Sequence, residues 1–591
     1  MGIESVLQIG KSSIIHNQVA LQTIAHNIAN AGVEGYSRQE VVAVPKRASL
    51  TGEGFLGTGV DVQTVRRVVD DFLNGQIARI KSELSSLTAR SDGLRLTETF
   101  LSEGASGGGL SNALNNFFAA ADDLSTTPEG AAERTSFINA GQNFVRVMSD
   151  LGKSVEDQRV GVNESLRRLV AEVNDLAAQI AELNDRIVKL EVGKFANNDL
   201  RDERQRLVER LAERIDISVA QEKDGNLIVF VGRGFPLVQK ATASKLRAVE
   251  DLDNIIGSSP PVALLRVHFV NSPGSTVDIT DRISSGEMGG LFNLRDISLQ
   301  SLLDDLDKLA AIFVKEVNLI HTQGFGLDGS TNVNFFNPLE LSVVSAGGNS
   351  RDALTENPNI TAETRDSRII DLTAVTGANY QINFTSSTTF NITDTDTGQK
   401  LDATKVSLNG AAFGASAAVN EFSYSGNGVV VEFEGVRVSI QNFAGAPQKG
   451  DFFTVSTRKG AAKNMAVNSA VANDLNKVAA AGAPGRRGDN TKALELVALR
   501  TKGVAERGSA NLNEFLNSIV ARFGTDVRDV RSSEDVISRV SDSLREARES
   551  ISGVSIDEEM VNLLRFQQNF AASARLMAIT VELLEEILGI V

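Results

Sequence analysis

Both ends of the chain carry hydrophobic residues at alternating four- and three-residue steps. The first ladder runs through Ile3, Leu7, Ile14, Leu21, Ile24 and Ile28, with Gly10 and Asn17 on its two remaining rungs. The last runs through Ile556, Met560, Leu563, Phe570, Ala574, Met577, Val581, Leu584 and Leu588, with Gln567 as its polar rung. This spacing predicts a coiled-coil helix at each terminus. Both helices also carry apolar residues beside the ladder: Val6, Ile9, Ile15 and Val19 in the first, and Phe566, Leu576, Ile579, Leu583 and Ile587 in the last. A two-stranded coil buries one narrow stripe, so these wider faces require further neighbours. Each terminus is therefore expected to order fully only when other subunits pack on it.

Between the ends the period changes several times. An unbroken ladder from Val162 through Leu166, Leu169, Val173, Leu176, Ile180, Leu183 and Ile187 to Leu190 predicts a long helix. Further helices are expected at about 70–100, at 299–322, and in two pieces from 511 to 551 split near Gly524 and Ser532–Ser533. Residues 215–283 alternate and are rich in turns, which suits a small β subdomain. Residues 365–458, rich in Thr, Ser, Asn and Gly with short runs such as YQINF and GVVVEFEGVRVSI, read as an all-β domain inserted between helical halves. The fold class is thus multidomain and mainly α, a long-helix bundle with one small β subdomain and one inserted β domain.

Composition narrows the function classes. With 591 residues the chain exceeds the ~250–300 at which a single core stops growing, so several domains are expected. A formal net charge of −16 argues against a nucleic-acid partner, which needs clustered Lys and Arg. No run of about 18 apolar residues occurs, so no membrane-spanning helix is expected. The start, MGIESVLQIGKSS, lacks the basic and continuous apolar regions of a secretory signal peptide. Cysteine is absent, which removes disulfides and thiol chemistry and leaves the redox compartment open.

No catalytic constellation can be assembled. The four histidines, His16, His26, His268 and His321, have no metal-ligand spacing, and no metal or cofactor is expected. GEGFLG at 52–57 fits a dinucleotide fingerprint in letters, but a turn and strand are expected after it where a helix is required. GASGG at 104–108 fits a nucleophile elbow in letters, yet it lies in a break between helices. The chain is not expected to be an enzyme. A secreted adhesin or hydrolase carried by the β insert is the alternative from another class. A glycosidase, however, wants paired carboxylates and aromatic platforms, and the insert offers only Tyr380 and Tyr424 besides Phe.

The first helix ends in IANAGVEGYSRQE, a polar elbow. Asn30, Gly32 and Gly35 suit cap or positive-φ positions, and Tyr36 and Arg38 follow them. By itself this reads as a helix C-cap with exposed polar residues. The same stretch, however, resembles the signature shared by the axial proteins of the bacterial flagellum. The closing stretch SIDEEMVNLLRFQQNFAASARLMAITVELLEEILGI resembles their shared C-terminal helix. Between them, TGVDVQTVRRVVDDFL (58–73), NDLRDERQRLVERLAERIDISV (198–219), the run from Gly289 to Ser330, GDFFTVSTRKGAAKNMAV (450–467) and GDNTKALELVAL (488–499) resemble the flagellar hook-associated protein 1 family. The inserted β domain matches only loosely.

The resemblance implies a structural adaptor at the hook–filament junction. Residues 1–35 and 553–591 would pair as terminal helices in an axial core. Residues 36–364 with 459–552 would form a discontinuous helical domain, and 365–458 the inserted β domain. Self-assembly into a ring would place the hook protein on one side and the next junction protein, hook-associated protein 3, on the other. A cytoplasmic export chaperone would hold the C-terminal helix, and the flagellar type III route would deliver the chain outside the cell without a cleaved signal. The subunit interface implied comprises Leu7, Ile14, Leu21, Ile24, Ile28, Asn30, Gly35, Tyr36, Arg38, Met560, Leu563, Phe570, Met577, Leu584 and Leu588. Within the same group of axial proteins, a hook or rod subunit is the alternative.

Overall fold

A computed structural model describes residues 3–590 apart from 52–53, 103–108, 192–195, 223–224, 257–261, 273, 346–363, 365, 409–410, 413–419, 425–427 and 442–446. The GASGG stretch therefore lies outside the described residues. Along the chain the helices are α1 (Ile3–Asn30), α2 (Asp71–Ser102), α3 (Leu110–Thr126), α4 (Ala131–Leu190), α5 (Asn198–Arg214), α6 (Gly286–Asn293), α7 (Leu299–Thr322), the short α8 (Ala461–Asn464) and α9 (Ser469–Ala472), α10 (Thr491–Ala498), α11 (Leu512–Ser552) and α12 (Ile556–Ile590).

Two helices differ from the sequence expectation. The ladder expected from 162 is the second half of α4, a single helix of 60 residues and so about 90 Å long. Its first half is buried along Phe137, Gly141, Phe144, Met148, Gly152 and Val155, the same three- and four-residue steps. Two polar residues sit in the middle of this stripe, Arg159 and Asn163, and both are buried and hydrogen-bonded. The second difference is α11, which runs unbroken through Gly524 and Ser532–Ser533. It opens with a capping box, Asn511 accepting from the Glu514 amide and Glu514 accepting from the Asn511 amide. It is then held along α2 by Arg90–Asp526 at 2.6 Å, Thr88 donating to Glu534 at 2.8 Å and Arg531–Glu98 at 3.0 Å. Tertiary packing outweighs the weak helix propensity of Gly and Ser.

The strands fall into three groups. β1 (Gln39–Pro45) pairs antiparallel with β4 (Val60–Arg67), and the small hairpin of β2 (Ser49–Thr51) and β3 (Gly54–Leu56) lies between them in sequence. The strand expected after GEGFLG is β4. The second group packs on α4: β5 (Ile217–Gln221), β6 (Leu227–Val231), β7 (Phe235–Gln239) and β8 (Thr242–Ala243) form one sheet, and β9 (Lys245–Ile256), β10 (Val262–Ser272) and β11 (Ser275–Asp278) another.

The third group is an all-β module of two five-stranded sheets. One has the order β12 (Ser342–Ser345), β21 (Phe452–Ser456), β14 (Asn379–Phe384), β15 (Thr389–Asp394), β18 (Phe422–Ser423). The other is β13 (Arg368–Ile369), β20 (Val436–Gln441), β19 (Gly428–Phe433), β16 (Val406–Leu408), β17 (Ala411–Ala412). Inward side chains of both sheets share one core. Its first strand lies at Ser342–Ser345, upstream of the boundary at 365 read from composition, because β12 pairs with β21. The helical body has its own core, centred on the rings of Phe117, Phe137, Phe144, Phe313, Phe335 and Phe336. Among the described residues, no helix is long and apolar enough to cross a membrane.

Candidate assembly interface

α1 and α12 lie antiparallel against each other, and the contacts between them are small and polar. A Cβ on Gly10 would lie 2.9 Å from Met577 Cγ. Ser13 and Ser573 share a hydrogen bond of 2.7 Å, and the His16 ring stands edge-on to Phe566. Burial of His16 lowers its pKa, which favours the neutral ring. The buried positions of α1 are Gly10, Ser12, Asn17, Ala20, Thr23, Ile24 and Asn27. Of the expected interface residues, Ile24 is buried, whereas Leu7, Ile14, Leu21 and Ile28 are half-buried. On α12, Leu563 and Met577 are half-buried, while Met560, Phe570 and Leu584 are exposed beside Val561, Leu564, Ile579 and Leu583. The Leu588 side chain lies outside the described residues. Within one chain, then, the helix pair hides mostly small residues and leaves large apolar side chains exposed around α12.

The elbow is built by residues that the pattern of apolar positions does not single out. Asn27, 1% exposed, is its hub. Its amide donates to the Gln39 carbonyl at 2.9 Å and to Glu559 at 3.3 Å, and its Oδ1 accepts from the Tyr36 hydroxyl at 2.8 Å and the Gln39 amide at 3.0 Å. Asp202 of α5 is the second hub. It accepts from the Ser37 amide at 3.0 Å and hydroxyl at 2.9 Å, and pairs with Arg67 at 2.7 Å. Gln39 donates to Asp199 at 2.9 Å and accepts from Asn198 at 3.0 Å. The NDLRD run of α5 therefore receives the elbow, and Asn27 and Asp202 were legible only as polar letters in otherwise amphipathic helices.

Of the three cap candidates, only Gly35 has a positive φ, +77°. A Cβ there would lie 2.7 Å from Arg206 Cγ, so the elbow closes on α5 at this point. Asn30 instead ends α1 in helical conformation and donates to the His26 carbonyl at 2.9 Å. Tyr36 spends its hydroxyl on Asn27. Burial first, then Asp199, Asp202 and Glu559, raises its pKa, so the phenol stays a neutral donor. The Arg38 amide donates to the Ser552 carbonyl at 2.8 Å, and its guanidinium stands 3.6 Å from Glu558. Both anchors fix the angle between the terminal helices and the body. In the inserted module Tyr380 and Tyr424 are buried in its core, so neither presents a stacking face.

Residues 94–336 match the family described as flagellar hook-associated protein FlgK helical domain. The whole chain is 28% identical to flagellar hook-associated protein 1 of Salmonella typhimurium, spanning all of both proteins. It is 27% identical to that of Escherichia coli over 96% of this chain and 97% of the relative. Over its whole length the chain is thus similar to flagellar hook-associated protein 1. The Bacillus subtilis protein of that name is 27% identical over 57% of this chain. Residues 547–590, essentially α12, match a second family, flagellar basal body rod FlgEFG protein C-terminal. The flagellar hook junction protein FlgK from Burkholderia pseudomallei has the same fold, with a TM-score of 0.66 at 18% identity over 81% of this chain and all of that one.

Proposed function

We propose that the chain is a structural subunit of the flagellar hook–filament junction that polymerises through the outer faces of α1 and α12. The observation that carries this reading is the set of large apolar side chains left exposed around α12, among them Met560, Leu564, Phe570, Ile579 and Leu584. Such a set is costly to leave in water, and it suits a wall of helices contributed by several copies. In that ring the hook protein lies on one side and hook-associated protein 3 on the other. Before assembly a cytoplasmic chaperone covers the C-terminal helix, and export follows the flagellar type III route.

The test is a single charge placed in that set. Leu584 is 40% exposed, so Leu584→Asp should leave the helix content of the monomer unchanged. In a packed multi-helix wall the buried carboxylate costs several kcal/mol, and the ring should not form. Electron microscopy of cells carrying only this variant should then find hooks without filaments, with filament protein in the medium. Normal filaments on these cells would refute assembly through α12.

A further inference from the structure

The β module and the helical body keep separate hydrophobic cores. Between them lies an open polar cleft of about 870 Å³, with Lys308, Lys315 and Lys502 on the body side and Asp394, Lys405 and Glu434 on the module side. Lys315 of α7 reaches across it, its ammonium donating to the Val375 carbonyl at 2.6 Å. The chain enters and leaves the module side by side, since Ser342 is the register partner of Ser456. On the module side of the exit, Arg458 is clamped by Asp396 at 2.6 and 2.8 Å and by the Gly377 carbonyl at 2.9 Å. On the body side, Asp307 accepts from the Gly460 and Ala462 amides at 2.7 and 2.9 Å, which seats α8. Between the two clamps stands Lys459, its amide donating to Ser456 Oγ at 2.9 Å, and Gly460, where the Asp307 clamp begins, has φ +74°.

We propose that the β module is a hinged arm that pivots about its adjacent entry and exit strands and is held closed across the cleft by Lys315. The two cores meet across a lining that is mostly charged and polar, with Ile312, Val375 and Leu401 its buried apolar members, so opening wets charged walls and exposes only the edge of each core, which permits rigid-body motion. The clamps at Arg458 and Asp307 keep each side stiff and confine the bend to the stretch between them. The proposal concerns one chain by itself and stands apart from the assembly reading above.

The absence of cysteine makes the test direct, since two introduced cysteines are the only thiols to spin-label. Thr404 and Thr501 are exposed on opposite sides of the cleft, and Thr404 and Lys449 are both exposed on the module. In the full-length protein, Thr404→Cys with Thr501→Cys should give a broader electron–electron distance distribution than Thr404→Cys with Lys449→Cys. Lys315→Met, which keeps the aliphatic stem and removes the donor, should broaden the cross-cleft distribution further and move it to longer distance. Circular dichroism should stay at the wild-type level. Equal widths for the two pairs in the otherwise wild-type protein would overturn the hinge, whatever Lys315→Met does. An unchanged cross-cleft distribution in folded Lys315→Met would overturn the role of Lys315.

Discussion

Asn27 and His321 each hold distant segments together through a buried polar group. Asn27→Ala removes the four hydrogen bonds that Asn27 makes at the elbow and leaves the Tyr36 hydroxyl and the Gln39 amide without their acceptor. That should cost ~2–4 kcal/mol locally, so amide exchange in the last turns of α1 should accelerate by roughly tenfold or more. Exchange at the wild-type rate would count against Asn27 as the hub. His321 is fully buried, donating from Nδ1 to the Val333 carbonyl at 2.6 Å and accepting the Ala479 amide at Nε2 at 2.9 Å. Accepting the Ala479 amide needs the neutral ring, whereas the Nδ1 bond survives protonation. Burial, with Arg134 nearby, lowers its pKa from 6.5 to about 4. The unfolded chain therefore takes up the proton first, and stability is full above pH 6.5 and falls as pH drops from 6.5 towards 4. The loss should total roughly 3 kcal/mol. Urea midpoints at pH 7 and 4.5 check it: His321→Gln should start lower and lose less on acidification, and an equal loss in both proteins would contradict this assignment.

Helix pairs differ in how much they tolerate at their closest points. A Cβ on Gly290 of α6 would lie 2.1 Å from the Ser86 carbonyl oxygen of α2, a backbone atom that cannot rotate away. Gly290→Ala must push the helices apart and should cost about 3 kcal/mol or more. At Gly10 the obstacle is the Met577 side chain, which can shift where backbone cannot, and alanine is the better helix former by ~1 kcal/mol, so Gly10→Ala should cost less than Gly290→Ala. Thermal melts of the two variants should separate by several degrees, with Gly290→Ala the lower. Coincident melts would mean that α2 and α6 can slide. The same contrast explains where helix limits were legible. Gly524 and Ser532–Ser533 suggested a break in α11 because local propensity is all that a sequence window contains. The hydrogen bond and ion pairs that hold this helix along α2 come from residues over 400 positions away.

For the whole molecule, the decisive feature is that the module can be cut out at neighbouring points. Ser342 and Ser456 are opposite each other in an antiparallel pair, so their Cα atoms are ~5 Å apart. Replacing 342–458 by a short Gly/Ser linker should therefore leave the helical core folded. Cells carrying that deletion should swim and bear filaments of near wild-type length. Filaments that snap at the hook would show instead that the module bears mechanical load, and the claim that it is dispensable would fall. The excision has to begin at 342, because β12 completes the sheet from a stretch that composition assigned to the helical domain.

The sequence by itself determined the two terminal helices, the helical character of 70–100, 162–190, 299–322 and 511–551, the β character of 215–283 and of the insert, and the resemblance to flagellar axial proteins. Each of these is written in local periodicity or in a contiguous motif, which needs no knowledge of distant residues. Which rungs of the α1 ladder are buried was decided only by the tertiary structure. The buried rungs are Gly10, Asn17 and Ile24, joined by Ala20 and Asn27 from beside the ladder, while the larger Leu7, Ile14, Leu21 and Ile28 are half-buried. α12 approaches closely where side chains are small, with Met577 against Gly10. The elbow was likewise visible as a place where a helix ends, but its anchoring was not. Asn27, Asp202 and Glu559 act as a site only after folding has brought together residues from α1, α5 and α12, more than 500 positions apart at the extremes.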